Sequence, residues 1–172
     1  MMLTKNYCAP FGEIILSACN GLVTGLHFVG GVTAPTLCKL PRQEIGKNSS
    51  AHIDDGENHA VLEQLTKELD AYFAGDLQNF TTPIHLEGTA FRKTVWQALC
   101  TIPYGETISY KELAIRIGNP AAIRAVGGAN HHNPISILVP CHRVIGANGK
   151  LVGYGGGMHV KEFLLRHEGD NM

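Results

Sequence analysis

The segment from Asn133 to Gly146 constrains this chain more than any other. Its run Ile135-Ser136-Ile137-Leu138-Val139 is rich in branched apolar side chains, and Pro140 ends it by removing a backbone donor. The expectation is a buried strand with Cys141 at its end. A thiol there is held in place yet able to meet a partner, and His142 beside it can trade a proton near neutral pH. Taken alone, a free cysteine reads as a small core filler, since free cysteines are among the most buried residue types. The proline, histidine and arginine crowded around Cys141, with the glycine-rich stretch Gly153 to Gly157 downstream, favour a nucleophile beside its base. Successive strand side chains face opposite ways, so His142 is expected to reach the sulfur through a water.

With 172 residues, 44% of them apolar and 17% charged, the chain has the composition of a soluble globular protein. No apolar run approaches the roughly 20 residues of a membrane span. Met1 to Asn6 is too short and polar for a signal peptide, so a cytoplasmic location is expected. Five cysteines, Cys8, Cys19, Cys38, Cys100 and Cys141, make an odd count without a CxxC pair. That argues against a disulfide framework and against a closed zinc site. Net charge is −1, but residues 88–172 carry nine lysines and arginines against five acids, a surplus of four that leaves the remainder at −5. Such asymmetry suits a chain of which one part faces a phosphate backbone.

Residues 13–18 and 22–28 are apolar runs joined across Cys19-Asn20-Gly21, a hairpin signal that predicts an antiparallel sheet. From Gly30 to about Asn58 no period is present, and a long mobile loop is expected. Val61, Leu62, Leu65, Leu69, Tyr72 and Phe73 then recur at helical spacing up to Gly75, which predicts a helix covering the sheet. The boundary is placed near Gly88, giving an N-terminal supporting domain over 1–87 and a second domain over 88–172. In the latter, Phe91, Val95, Ala98 and Leu99 form the face of another helix. Ser109-Tyr110-Lys111-Glu112 is a capping box that starts a helix at Tyr110 and Gly118 closes it. Asn119-Pro120 is expected to start a second helix at once, completing a helix-turn-helix. That second helix, with Ala121, Ala122, Ala125, Gly127, Gly128 and Ala129 around Arg124, is costly in glycine. Small residues let a backbone press against another surface, either DNA or a neighbouring helix. The fold class is therefore α/β of the α+β kind: a sheet with its covering helix, then a mostly helical domain carrying a helix-turn-helix and an active-site strand and loop.

This combination resembles the O6-alkylguanine-DNA alkyltransferases, also called methylated-DNA–protein-cysteine methyltransferases. The resemblance rests on residues 102–107, Ser109-Tyr110, Gly118-Asn119-Pro120, Arg124 to Ala129, Asn133-Pro134, Pro140 to Gly146, Gly153-Tyr154, Gly156-Gly157, and Lys161-Glu162 through Gly169. It implies that Cys141 takes the alkyl group from O6 of a damaged guanine, with O4-alkylthymine as a second substrate. It further implies that His142 relays the proton through a water, that Glu168 orients His142, and that Asn133 braces the turn. Tyr110 would assist rotation of the nucleotide and donate to the flipped base, and Arg124 would fill the vacated place in the stack. Ala125 and Gly128 would lie against the minor groove. Val144 and Cys141 would offer carbonyls to the base edge, with Tyr154, Gly155 and Gly156 lining the pocket. Residues 88–172 would then be the DNA-binding and methyltransferase domain, acting as a monomer on double-stranded DNA that bears alkylated bases.

No cofactor and no metal are expected. Some relatives hold zinc in the N-terminal domain, but Cys8, Cys19, His27 and His85 here fit no standard spacing. His131-His132 departs from the glycine or basic residues common in the family. Competing readings are a non-enzymatic binder of alkylated DNA, a cysteine hydrolase, and a helix-turn-helix regulator. The last is disfavoured because a helix of alanine and glycine offers few base-reading groups.

Overall fold

The computed structural model describes residues 2–30 and 56–172. The loop expected over 30–58 lies almost wholly outside these residues, and its last three positions, 56–58, belong to a helix instead. Strands β1 (Met2–Ala9), β2 (Gly12–Cys19) and β3 (Leu22–Phe28) form an antiparallel sheet in chain order. Asn20 and Gly21 adopt φ of 52° and 71°, the pair of left-handed positions that matches the twist of a two-residue hairpin. Strand β1 escaped the sequence reading because Thr4, Lys5 and Asn6 obscure its pattern. It is an edge strand with one buried side chain, Tyr7, and edges tolerate polar residues.

Helix α1 (Gly56–Ala74) buries Val61, Leu62, Leu65, Leu69 and Tyr72 and packs against all three strands. Gly75, at φ 86°, ends it. The outer side of β3 is stitched to two later segments. Val23 N donates to Pro83 O at 3.0 Å, His85 N to Val23 O at 2.8 Å, and Leu26 N to Pro134 O at 2.9 Å. One strand thus anchors both the connection out of the N-terminal region and the start of the cysteine-bearing segment.

Helix α2 (Ala90–Leu99) begins at Thr89, whose hydroxyl accepts from Arg92 N at 3.3 Å. The short β4 (Ile108–Ser109) leads into α3 (Tyr110–Arg116), where the expected capping box is present. Glu112 N donates to Ser109 Oγ at 3.1 Å and Ser109 N to Glu112 Oε2 at 2.7 Å. Gly118, at φ 77°, closes the helix. The next helix starts later than Asn119-Pro120 predicts: α4 spans Ile123–His131. Ala122 N is drawn back onto Asn119 O at 3.0 Å, which makes a turn of residues 119–122 first. Trp96 Nε1 donates to Ala129 O at 2.8 Å and locks α2 to α4. Strand β5 (Val144–Ile145) pairs in parallel with β4, and α5 (Met158–Asp170) closes the chain.

The strand expected over 135–139 is not one. Ile135, Ser136 and Val139 form only isolated bridges, and Ile137 sits at φ 75°. The run is buried as its composition requires, but it folds back on itself: Val139 N donates to Ile135 O at 3.0 Å and Leu138 N to Ser136 O at 3.0 Å. A short apolar run specifies burial, and its neighbours decide its direction. No helix among the described residues is long and apolar enough to cross a membrane, and among them no three metal-ligating side chains converge. Cys8, Cys100 and Cys141 are free thiols, while Cys19 is disulfide-bonded, a departure from the expectation drawn from the odd cysteine count.

Candidate active site

Asn133 closes the turn that carries Cys141. Its Nδ2 donates to Val139 O at 2.7 Å, and its Oδ1 accepts from Ile135 N at 3.0 Å. These bonds hold Ile137 in a backbone region that β-branched residues avoid. Cys141 then opens a single turn of 3-10 helix, Cys141–Arg143, rather than ending a strand. Its side chain is 3% exposed. Burial pushes the thiol up from its ordinary value, and the polar side chains of Asn133, Ser136 and Tyr154, with the Lys161 ammonium, pull the other way. A buried thiol of raised pKa needs a base when it reacts.

The next residue in the chain carries an imidazole. His142 is fully buried, and its Nε2 donates to Glu168 Oε1 at 2.7 Å, since a carboxylate can only accept. The other nitrogen, Nδ1, is buried without a hydrogen-bond partner. Burial holds the imidazole below its usual range, against the pull of Glu168, so the ring is neutral at pH 7 with its lone pair on Nδ1. Glu168, from α5, is 1% exposed. Burial alone would raise its pKa, but the bonds from His142 and Arg143 outweigh it and hold the carboxylate well below the usual range. Arg143 donates to it through Nε at 2.8 Å and Nη2 at 3.0 Å, and Gly105 N adds a bond at 3.2 Å. The pair of a buried carboxylate and a two-pronged guanidinium is the geometry in which buried charge is tolerated.

Tyr110 begins α3 and is half-buried, near enough to Cys141 for a thiolate to act on it. Burial, then the sulfur's charge, raise its pKa, while Asn130 opposes them. Asn130 itself donates to Cys141 O at 3.3 Å. Tyr154 is buried and its hydroxyl makes no well-formed hydrogen bond. It faces Cys141 and Ser136, and burial followed by the sulfur's charge holds it far above the ordinary phenol value. Both phenols are therefore donors at neutral pH. Val144 is buried with its carbonyl accepting from Lys161 Nζ at 2.6 Å. Gly155 and Gly156 lie on the loop beside them, and a Cβ on Gly156 would come within 2.5 Å of the Phe28 ring. This loop is thus moulded against β3.

Arg124, Ala125 and Gly128 share the exposed side of α4, away from this cluster. Nothing within 4 Å would meet a Cβ on Gly128. His131 and His132 end the same helix, both exposed, with His132 Nδ1 2.7 Å from Gly128 O. Tyr72, Asn130, Ser136, Arg143 and Lys161 also belong to the cluster, although no sequence motif assigns them a role. Lys161 is fully buried, an anomaly for lysine, and bonds Val144 O and Val152 O at 2.6 and 3.1 Å. Arg143 was visible as a charge inside an apolar segment. Tyr72 carried no signal, because on a helical face it counts as one more core residue.

A buried cysteine, a neutral histidine and an ionised carboxylate thus follow a helix-turn-helix in one half of the chain. Comparison with known proteins names the class. Residues 90–170 match the family model for the 6-O-methylguanine DNA methyltransferase DNA binding domain, and residues 2–86 match that for its ribonuclease-like domain. A methylated-DNA–protein-cysteine methyltransferase of Methanosarcina barkeri is 54% identical over 164 residues, covering 95% of each chain. One from Mycobacterium bovis is 62% identical over 160 residues, covering 93% of this chain and 88% of its own. The crystal structure of Mycobacterium tuberculosis O6-methylguanine methyltransferase superposes with a TM-score of 0.81 at 40% identity, covering 100% of this chain and 95% of that one. The M. tuberculosis OGT in complex with DNA superposes at 0.80 and 42%, covering 98% and 93%. The chain belongs to the methylated-DNA–protein-cysteine methyltransferase family, as its motifs imply, and its α+β architecture is that of these relatives.

Proposed function

We propose that this protein repairs alkylated DNA by moving the alkyl group from O6 of guanine onto Cys141, once per molecule. The observation that carries the reading is the unbonded Nδ1 of buried His142, beside Cys141 and with Nε2 committed to Glu168. The thiol proton passes through a water to Nδ1, and the sulfur attacks the alkyl carbon. The carbon–O6 bond breaks with its electron pair remaining on the purine, and the proton ends on ring N1. Guanine and S-alkylcysteine result, and a thioether has no easy hydrolysis, so the protein is consumed. Tyr110, kept protonated by burial, offsets the charge that grows on the leaving base. The Lys161 ammonium supplies a counter-charge to the thiolate.

Cys141 is buried and cannot be reached by a stacked base, so the nucleotide rotates out of the duplex. The outer side of α4 suits the minor groove: Ala125 and Gly128 let the backbone approach, and Arg124 is free to enter the stack. The protein acts as a monomer, without a cofactor, in the cytoplasm. Residues 88–172 hold the DNA-facing helix and the nucleophile, with residues 1–87 as their support. Intact-protein mass after mixing with a duplex containing one O6-methylguanine tests the proposal. The expected result is a gain of one methylene per molecule, absent in Cys141→Ala, which still binds the duplex. Bound duplex with no gain in the wild type would instead make this a damage-binding protein.

A further inference from the structure

Glu168 Oε1 is shared by three donors, and one comes from the opposite end of the chain. Tyr72, fully buried on α1, donates its hydroxyl to this oxygen at 2.8 Å, beside His142 Nε2 at 2.7 Å and Arg143 Nη2 at 3.0 Å. The ring packs among Phe73, Phe80, Tyr104 and His167 at centroid distances of 5.1, 5.3, 6.0 and 5.2 Å. A phenylalanine would fill that space equally well. What the hydroxyl adds is a fifth hydrogen bond to a carboxylate that Arg143 and Gly105 N already hold. We propose that Tyr72 is a positioning residue for the transfer reaction, its hydroxyl drawing charge from Glu168 Oε1 and so keeping the His142 base unprotonated.

The attraction of Glu168 for a proton on His142 scales with the charge left on Oε1, and each donor to that oxygen reduces it. The other charged and titratable groups around the imidazole are Arg143 and Lys161, both of which also disfavour a second positive charge, and the Cys141 thiol. Tyr104 and His167 flank the phenol. Removing the Tyr72 hydroxyl leaves all of these in place and returns charge to Oε1. His142 then becomes easier to protonate, and the base is lost at a higher pH than in the wild type. On this account the N-terminal region reaches into the chemistry and does more than support it.

The inference rests on His142 acting as the base for Cys141, as proposed above. Its test uses a probe that needs no DNA: iodoacetamide, with alkylation of the Cys141 peptide followed by mass from pH 5 to 9. Reading that peptide avoids the free thiols of Cys8 and Cys100. Tyr72→Phe is expected to move the acid limb of the rate profile upward by about half a pH unit to one, slowing alkylation by up to about three- to tenfold at the acid end of the range and less than about twofold at pH 8.5. In a Glu168→Gln background the same substitution should produce no further shift. A uniform drop at all pH values, or an unmoved limb, overturns the proposal and leaves Tyr72 a packing residue. Failure of the wild type to accept a methyl group from the O6-methylguanine duplex, with the iodoacetamide limb still shifting in Tyr72→Phe, would refute the transfer reading and uphold this one.

Discussion

Around Glu168 a negative charge is buried at 1% exposure and met by Tyr72, His142, Arg143 and Gly105 N, whereas along α4 a positive charge, Arg124, stands in solvent with no ion pair or hydrogen bond among the described residues. The first region has its partners built in. The second has a cation, small side chains and two glycines, features that lower the stability of an isolated helix. A group meant to change protonation during a reaction is best surrounded beforehand, because reorganising dipoles then costs nothing at the critical moment. A group meant to meet another molecule is best left without partners, so that the partner's phosphates and bases are what satisfy it.

The sharpest way to break this contrast is to remove charge from each region. Glu168→Gln leaves Arg143 buried without its counter-ion, and is expected to lower unfolding stability by about 3–5 kcal/mol in denaturant titration. Arg124→Ala should leave stability within about 0.5 kcal/mol of wild type while weakening duplex binding in a titration at fixed salt. Equal stability losses would mean that Arg124 has structural partners after all.

Acid provides the second comparison. His142 in the folded protein lies below its ordinary value of 6.5, and Glu168 below 4.5. A group whose folded pKa is depressed contributes stability above its unfolded pKa, and that stability is lost as pH falls toward the folded pKa. Stability should therefore begin to fall below pH 6.5, as the unfolded histidine takes a proton that the folded one refuses, and fall more steeply below pH 4.5. The slope per group is at most about 1.4 kcal/mol per pH unit. Denaturant midpoints measured from pH 8 to 4 read this directly. His142→Gln should reduce the first decline, leaving the part due to His27, which burial also holds below 6.5, and keep the second, and a midpoint flat between pH 6.5 and 5 would show that His142 is not held neutral.

The smallest effect has the opposite sign. Gly128→Ala places a methyl where nothing lies within 4 Å, so the folded protein should gain about 0.5–1 kcal/mol from helix propensity. The same methyl would stand between α4 and a docked duplex, so transfer from DNA should slow although iodoacetamide reactivity of Cys141 does not change. A gain in stability with unaltered transfer would remove α4 from the DNA interface.

Much of the local grammar was legible in the chain. The Asn20-Gly21 hairpin, the α1 periodicity with its glycine stop and the Ser109/Glu112 capping box rest on bonds between residues a few positions apart, and all three are present. Two expectations failed for one physical reason. Residues 135–139 are a turn because Asn133 and the pairing with β3 hold them there, and α4 starts at Ile123 because Asn119 O first captures Ala122 N. In each case a nearby competing hydrogen bond outweighed a pattern of side-chain types.

The residues around Cys141 and His142 read by themselves as a nucleophile beside its base, and it is the resemblance of the wider motif set to the alkyltransferases that points to alkyl transfer. Motif order alone does not reveal how the chain sets their protonation. That involves Tyr72, which bonds Glu168 from 96 residues away, and Lys161, whose ammonium is buried against the loop carbonyls and acts on the Cys141 sulfur. Identity and spacing of reactive groups are properties of a sequence. Desolvation and the sharing of a proton's field depend on distance through space, and only the folded chain decides them.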